Sequence, residues 1–252
     1  RKKVIFIPDI EPALTLSALA KVADKITVVA DESRAYLPKK ANVVVTGYPT
    51  RAELMAYSKE AALKTFGLSA EVPTVFVFGG SKGARTINDA LMNILPELTS
   101  HCQVLHVTGE KNYDEVTGRV SLMNESVRER YHGYPYLHEK MGAAFRAADL
   151  IVSRAGASTI GEFPLFGVPA ILVPYPYAWR YQRVNAEYLV REKAAVLLKD
   201  EDMQAMLYST IIEFINNPEK RSEMGRAMAS LAKPNAAEAI ADVLIDAASH
   251  RI

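Results

Sequence analysis

Short apolar runs alternate with segments of helical period along almost the whole chain, and this alternation restricts the fold more than any other feature. The runs lie at residues 4–7, 25–29, 42–46, 74–78, 103–107, 150–152, 170–173 and 195–198. Strands separated by helices pair in parallel and are covered on both faces, so the expected class is α/β with a Rossmann-like parallel sheet. Residues 51–67 read as one helix. The last third, from Glu201 on, is helix-rich, with breaks before Pro218 and near Pro234. Neither a repeat nor a low-complexity segment interrupts the pattern.

Two of the turns between these elements carry most of the chemical information. Gly79-Gly80-Ser81-Lys82-Gly83-Ala84-Arg85 follows the run at 74–78, and Ser153-Arg154-Ala155-Gly156-Ala157-Ser158-Thr159 follows Asp149-Leu150-Ile151-Val152. Each opens a helical segment, which makes a strand-turn-helix unit. Glycine lets the backbone approach a ligand, and the first helical turn offers unpaired N–H groups and a dipole that favour an anion. Two such turns on one sheet point to a nucleotide diphosphate. The first reads G-G-x-x-G, which is neither the dinucleotide fingerprint nor the P-loop, so Lys82 is not a Walker lysine. The plainer alternative is that these glycines only permit tight turns and close helix packing.

A carboxylate supports the ligand reading. Glu162 lies four residues after Ser158, one helical turn further along the same face. There it can accept two hydroxyl hydrogen bonds from a ribose, a charge-assisted contact. The apolar neighbours Ile160, Phe163, Leu165 and Phe166 place it at the edge of a site rather than on a solvated helix face.

Composition excludes more than it identifies. With 252 residues, 49% of them apolar, the chain can build one large or two modest cores. Its 30 basic and 29 acidic residues leave a formal charge of +1, with no nucleic-acid footprint. Cys102 stands alone, so no intrachain disulfide can form, and the chain is compatible with a reducing compartment. Residues 4–7 follow basic residues as in a signal sequence, but Pro8 and Asp9 end the apolar run far too early.

Five stretches in register carry a family resemblance: Gly47-Tyr48-Pro49-Thr50-Arg51, residues 79–85, residues 153–162, Gly167-Val168-Pro169-Ala170 and residues 174–186. Their order and spacing resemble the successive donor-site motifs of the MurG family of peptidoglycan N-acetylglucosaminyltransferases. Pro8-Asp9-Ile10-Glu11-Pro12 resembles the last part of that family's first domain. The resemblance implies the GT-B arrangement, two Rossmann-like domains facing a cleft, with a lipid-linked acceptor on the first and UDP-N-acetylglucosamine on the second. The implied division is 1–50 as a remnant of the N-terminal domain, 51–72 as interdomain helix and linker, and 73–252 as the donor domain with its C-terminal helices. The family's N-terminal glycine-rich loop with its histidine has no counterpart here. Arg1 rather than Met stands first, which fits a truncated or processed product.

The same resemblance assigns residues to the donor. Gly80 and Ser81 in the first turn, and Gly156, Ala157, Ser158 and Thr159 in the second, would hold the diphosphate, with Glu162 on the ribose. Arg51 is placed near the donor, although an arginine at a helix start is ordinarily solvated. His138 and Met141 fall in the segment that lines the uracil pocket; for His138 taken alone, a surface histidine is the ordinary account. Gln182 and Asn185, i and i+3 on one helix, would face the sugar hydroxyls together, the alternative being surface amides. Departures from the family pattern are Lys82 for Gln, Tyr48 for Asn, and Tyr177, Trp179 and Tyr181 in the 174–186 loop. These put the sugar contacts in question, and no catalytic residue can be named; the resemblance implies that the catalytic groups lie in the missing N-terminal domain.

Asp200-Glu201-Asp202 spells the D-x-D pattern of metal-dependent glycosyltransferases, yet it precedes a helix, where Asp202 suits an N-cap. Histidines without ligand spacing argue against zinc. Neither a metal nor any other cofactor is therefore expected, with UDP-N-acetylglucosamine as substrate. The expected activity is inverting transfer of N-acetylglucosamine to an undecaprenyl-linked muramoyl-pentapeptide, at the cytoplasmic face of the membrane in the full-length protein, with this chain as the donor-binding part, inactive in transfer when isolated. The other readings are the catalytic subunit of a split GT-B enzyme with a membrane partner, and a non-enzymatic nucleotide-sugar binding module.

Overall fold

The computed structural model describes residues 2–80, 83–178 and 180–249. Strands β1 (Val4–Ile7), β2 (Lys25–Val28) and β3 (Val43–Val45) form a three-stranded sheet in that order. Strands β4 (Thr74–Phe78), β5 (Gln103–Val107), β6 (Tyr131–Tyr134), β7 (Leu150–Ser153), β8 (Ala170–Leu172) and β9 (Ala195–Leu197) form a six-stranded sheet in the order β6-β5-β4-β7-β8-β9. Every pairing is parallel, as the alternation of strands and helices requires. In the larger sheet the chain first winds outward from β4 through β5 to β6, then returns to place β7 on the other side of β4. The strand order thus reverses between β4 and β7, and ligands of open α/β sheets bind at the carboxyl ends of strands at such a switch point.

The helices are α1 (Leu14–Ala20), α2 (Lys59–Phe66), α3 (Arg85–Leu98), α4 (Tyr113–Ser121), α5 (Glu125–Glu129), α6 (Met141–Ala147), α7 (Thr159–Phe166), α8 (Tyr181–Arg191), α9 (Met203–Ile215), α10 (Pro218–Ser230) and α11 (Ala236–Ser249). They cover both faces of the six-stranded sheet. β4 shows why its run is apolar throughout: Val75 and Val77 point to one core, with Ile87, Leu91 and Leu95 of α3 and Leu207, Ile211 and Phe214 of α9. Phe76 and Phe78 point to the other, where Phe145 of α6 and Phe163 of α7 meet them edge to face.

The three-stranded sheet has a smaller core of Ile7, Ala20, Ile26, Val28 and Leu37. Much of what holds it comes from the larger body. α11 lies against β2, and Lys25 pairs with Asp246. Tyr48, after β3, packs on α7 at Gly161, where a Cβ would come within 2.6 Å of the tyrosine Cβ. Glycine is what allows that approach.

Three expectations need correction. The expected helix over residues 51–67 is broken: Ala52–Met55 form a short 3₁₀ turn, and α2 starts afresh because Ser58 caps it, its hydroxyl accepting from Ala61 N at 3.2 Å. β6 was not expected; Tyr-His-Gly-Tyr is polar and half-buried because it forms a sheet edge, so it lacks the apolar run of the inner strands. Asp202 does occupy the N-cap position of α9, but its side chain makes no cap hydrogen bond.

Candidate functional site

Both glycine-rich turns leave the carboxyl ends of β4 and β7, neighbours at the switch point. Gly80 has φ +83°, a conformation L side chains rarely adopt, and nothing lies within 4 Å of where its Cβ would stand. The space beside Gly156 is open in the same way. Neither Ala84, at the N-cap of α3, nor Ser158, at the N-cap of α7, makes a side-chain cap bond, so neither cap side chain competes with an incoming anion. Ser81, expected in the first turn, lies outside the described residues, as do Lys82 and Trp179.

A cavity of about 170 Å³ opens between the turns. Its walls include Arg51, Gly80, His138, Met141, Ser158 and Glu162, six of the residues expected at a donor site, brought together from four separate segments. Phe78, Val107, Tyr136 and Leu137 complete it, and sequence reasoning had not singled them out. Phe78 and Val107 are the last residues of β4 and β5, so their place at the carboxyl ends of central strands was the available signal. His138 has φ +43°, a backbone conformation costing about 1–3 kcal/mol that tends to be kept at functional sites. Its ring meets Tyr136 edge on, 4.6 Å between centroids.

Glu162 is half-buried. Burial pushes its carboxyl above the ordinary value, while a hydrogen bond with Ser158 and the charge of Arg51 oppose the shift. Ser158 and Glu162, one turn apart, are thus within reach of each other. Burial likewise pushes the Tyr48 hydroxyl up, and Glu162 and Asp9 add to this through their negative charge.

The second turn is fastened by a cluster the sequence did not reveal. Arg154 is buried, and its guanidinium donates to Asp200 at 2.5 Å, to the carbonyl of Val173 at 3.2 Å and to the Thr86 hydroxyl at 2.7 Å. Thr86 in turn donates to Asp200 at 2.9 Å. The ion pair thus joins the turn after β7 to the segment after β9, and the hydrogen bonds around it add the first turn of α3 and the loop after β8. Asp200, of the D-x-D pattern, is engaged there, and no group of three or more His, Cys, Asp or Glu poised for a metal occurs among the described residues.

Of the residues flanking the cavity, Thr159 closes the second turn by donating its hydroxyl to Gly156 O at 2.6 Å, and Ala157 lies between them. Gln182 and Asn185, expected to face the sugar hydroxyls, each bond within the protein. The carboxamide oxygen of Gln182 accepts from Tyr175 N at 2.8 Å, holding the loop after β8. Asn185 is completely buried: its oxygen accepts from Ile10 N at 3.0 Å and its nitrogen donates to Asp9 at 2.7 Å and to Ala155 O at 3.3 Å. The i, i+3 spacing predicts a shared face, but an amide that can satisfy three buried partners at once is drawn inward. Nearby, Arg180 grips Glu11, so α8 holds residues 9–11 against the second turn through two side chains.

The profile of the glycosyltransferase family 28 C-terminal domain matches residues 74–240. The chain is 35% identical over 278 residues to the UDP-N-acetylglucosamine–N-acetylmuramyl-(pentapeptide) pyrophosphoryl-undecaprenol N-acetylglucosamine transferase of Roseiflexus sp. (strain RS-1), an alignment that covers 96% of this chain and 63% of the relative. It is 39% identical over 237 residues to the protein of the same name from Chlorobaculum parvum, covering 93% and 63%. The chain thus spans somewhat under two thirds of the length of these curated relatives. Among solved structures, it resembles Acinetobacter baumannii MurG with a TM-score of 0.76 at 23% identity, covering 97% of this chain and 67% of that one. The UDP-GlcNAc 2-epimerase from Neisseria meningitidis, bound to UDP-GlcNAc, gives a TM-score of 0.66 at 12% identity, covering 97% and 69%. At these identities the likenesses show the fold, a GT-B type six-stranded parallel sheet with a three-stranded parallel sheet beside it.

Proposed function

The chain belongs to glycosyltransferase family 28, and from that premise we propose that it binds UDP-N-acetylglucosamine in the crevice between β4 and β7, as the donor side of a transferase that passes N-acetylglucosamine to a lipid-linked muramoyl-pentapeptide. The observation that carries the donor reading is the meeting of Arg51, Gly80, His138, Met141, Ser158 and Glu162 around one cavity. Residues that the family resemblance assigns to one ligand, and that lie far apart in the chain, line the same space.

The cavity is smaller than the roughly 300–1,000 Å³ usual for a whole small-molecule site, so it suits the nucleoside, with the rest of the ligand lying along the open turns. Uracil fits against the 136–141 segment and the ribose hydroxyls against Glu162. The diphosphate lies at the starts of α3 and α7, whose N–H groups and dipoles stabilise the charge that develops on the leaving group. Arg51 adds a positive charge on the same wall. In this reading Gln182 and Asn185 act through the loops they hold, and the diphosphate needs no metal. The acceptor side, its undecaprenyl chain and its place at the cytoplasmic face of a membrane rest on the relatives' names and are proposed with the whole reaction.

Titration calorimetry tests the donor reading. UDP and UDP-N-acetylglucosamine are expected to bind, ADP to bind far more weakly, and binding to persist in EDTA. Glu162→Ala should cost about 1.5–3 kcal/mol of UDP affinity, the scale of hydrogen bonds to a charged group. Equal affinity for ADP, or an unchanged affinity in the variant, overturns it.

A further inference from the structure

Transfer of a sugar to a hydroxyl needs a group that takes the hydroxyl proton as the oxygen attacks. The turn after β1 offers one that the donor reading leaves unused. Asn185 Nδ2 reaches both Asp9 Oδ1, at 2.7 Å, and the carbonyl of Ala155, at 3.3 Å. The Asp9 carboxylate therefore stands no farther from the Ala155-Gly156 turn than those two contacts laid end to end. It comes from the three-stranded sheet, whereas the proposed diphosphate site belongs to the six-stranded one. Attack opposite the leaving group requires base and diphosphate to flank the anomeric carbon, and here the two come from different sheets that meet at the second turn.

The other carboxylates near the crevice are engaged. Glu162 is placed on the ribose, Asp200 is paired with Arg154, and Glu11 is gripped by Arg180. The side-chain partner of Asp9 is a neutral amide, which stabilises a carboxylate far less than a cation does. Glu11, two residues on, keeps its Oε2 buried without a hydrogen-bond partner, so the same turn has unspent acceptor capacity for a hydroxyl.

Resting on the donor reading, we propose that Asp9 is the general base of the transfer. Its carboxylate takes the proton of the acceptor hydroxyl while that oxygen bonds to the anomeric carbon. The bond from the anomeric carbon to the β-phosphate oxygen breaks, and its electron pair leaves with UDP. Protonated Asp9 then returns its proton to solvent. The groups that face Asp9 agree with this role. Burial pushes its carboxyl up, and the Asn185 hydrogen bond only partly opposes the shift. Tyr48, from the segment after β3, is neutral near pH 7, and the Glu11–Arg180 pair beside it contributes charges of both signs.

The test follows the Asp9 side-chain carboxyl by ¹³C NMR, assigned by its loss in Asp9→Asn, across a pH titration with and without UDP. Asp9 should titrate above the ordinary carboxylate range, and higher still with UDP bound, because the diphosphate charge lies close. In single-turnover release of UDP from UDP-N-acetylglucosamine with water as acceptor, the wild-type rate should rise with pH through that same midpoint. Asp9→Asn should slow release by roughly 10²–10⁴-fold and flatten the pH profile, with donor affinity changed by no more than about twofold. Asparagine keeps an oxygen for Asn185, so a purely structural role would leave rate and profile intact. UDP that binds in a Glu162-dependent manner without moving the Asp9 titration, or an Asp9→Asn variant with the wild-type profile, overturns the base while leaving the donor reading standing. Absence of UDP binding to the wild-type chain overturns both.

Discussion

The two sheets share a parallel strand pattern but are built to different depths. In the six-stranded sheet, β4, β5 and β7 are buried along their whole length between two helical layers. In the three-stranded sheet, β3 is half-buried throughout and β1 is fully covered only at Ile7. The larger sheet is rigid through its own core and can hold two open turns against a ligand. The smaller one is positioned largely by what grips it: Asn185 on residues 9–10, Arg180 on Glu11, Asp246 on Lys25 and α7 against Tyr48. In the proposed reading the well-packed body binds the donor and the lightly packed one brings its chemical groups up to it; such elements belong to the low-stability end of a fold.

The contrast can be broken most directly in the cores. Phe145, completely buried among Phe76, Phe78, Phe163 and Phe166, should cost about 3–5 kcal/mol when changed to alanine. Ile26→Val in the smaller core should cost about 0.5–1.5 kcal/mol. Hydrogen exchange should report the first loss across the six-stranded sheet and confine the second to residues 4–45. Global destabilisation of equal size by both would mean that the sheets form one cooperative unit.

The Arg154 cluster gives the next largest effect. Asp200→Ala leaves a buried guanidinium without its counter-ion and should cost about 3 kcal/mol in chemical denaturation, with weaker UDP binding as the second turn loosens. A loss below about 1 kcal/mol, the scale of a surface pair, would show that water reaches Arg154.

Acid exposes a third difference. His106 on β5 is completely buried between Asn88, at 3.0 Å, and the Tyr131 hydroxyl, at 2.8 Å, and burial pushes its pKa from 6.5 down to about 3. The unfolded chain takes up a proton below pH 6.5 that the folded chain refuses, so stability falls from there toward pH 3, by up to about 1.4 kcal/mol per pH unit. Replacing His106 with glutamine should remove that slope, measured as urea midpoints between pH 7 and 4.

Glu162 should show the smallest stability effect, with the opposite sign. Its folded-state pKa is raised, so wild-type stability declines as pH climbs from the ordinary carboxylate value through the raised one. Glu162→Gln should therefore stabilise the chain slightly at pH 7, with the gain vanishing in acid, while UDP binding weakens. Stabilisation together with unchanged binding would make Glu162 a mere cost of the fold.

The larger sheet was also the more legible in the sequence. Its inner strands are buried on both faces and read as continuous apolar runs, whereas edge strand β6, built of Tyr131, His132, Gly133 and Tyr134, carries no such run. The cavity residues Ser158 and Glu162 were legible because they lie one helical turn apart, and Gly80 because its turn follows a strand. The contacts that were not legible join residues far apart in the chain: Asp9 with Asn185, Glu11 with Arg180, Arg154 with Asp200. Spacing along a helix predicts which residues share a face, but not which face a buried amide turns toward a distant strand. The burial of Asn185 was not legible for that reason.

The central claim is that the crevice between β4 and β7 takes a uridine nucleotide. Hydrogen-deuterium exchange of the chain with and without UDP measures it at every turn in one experiment. The account predicts slower exchange in the turns after β4 and β7 and in residues 136–141, with α1 and α11 unchanged and with little effect from ADP. Protection confined to the three-stranded sheet, or equal protection by ADP, would contradict it.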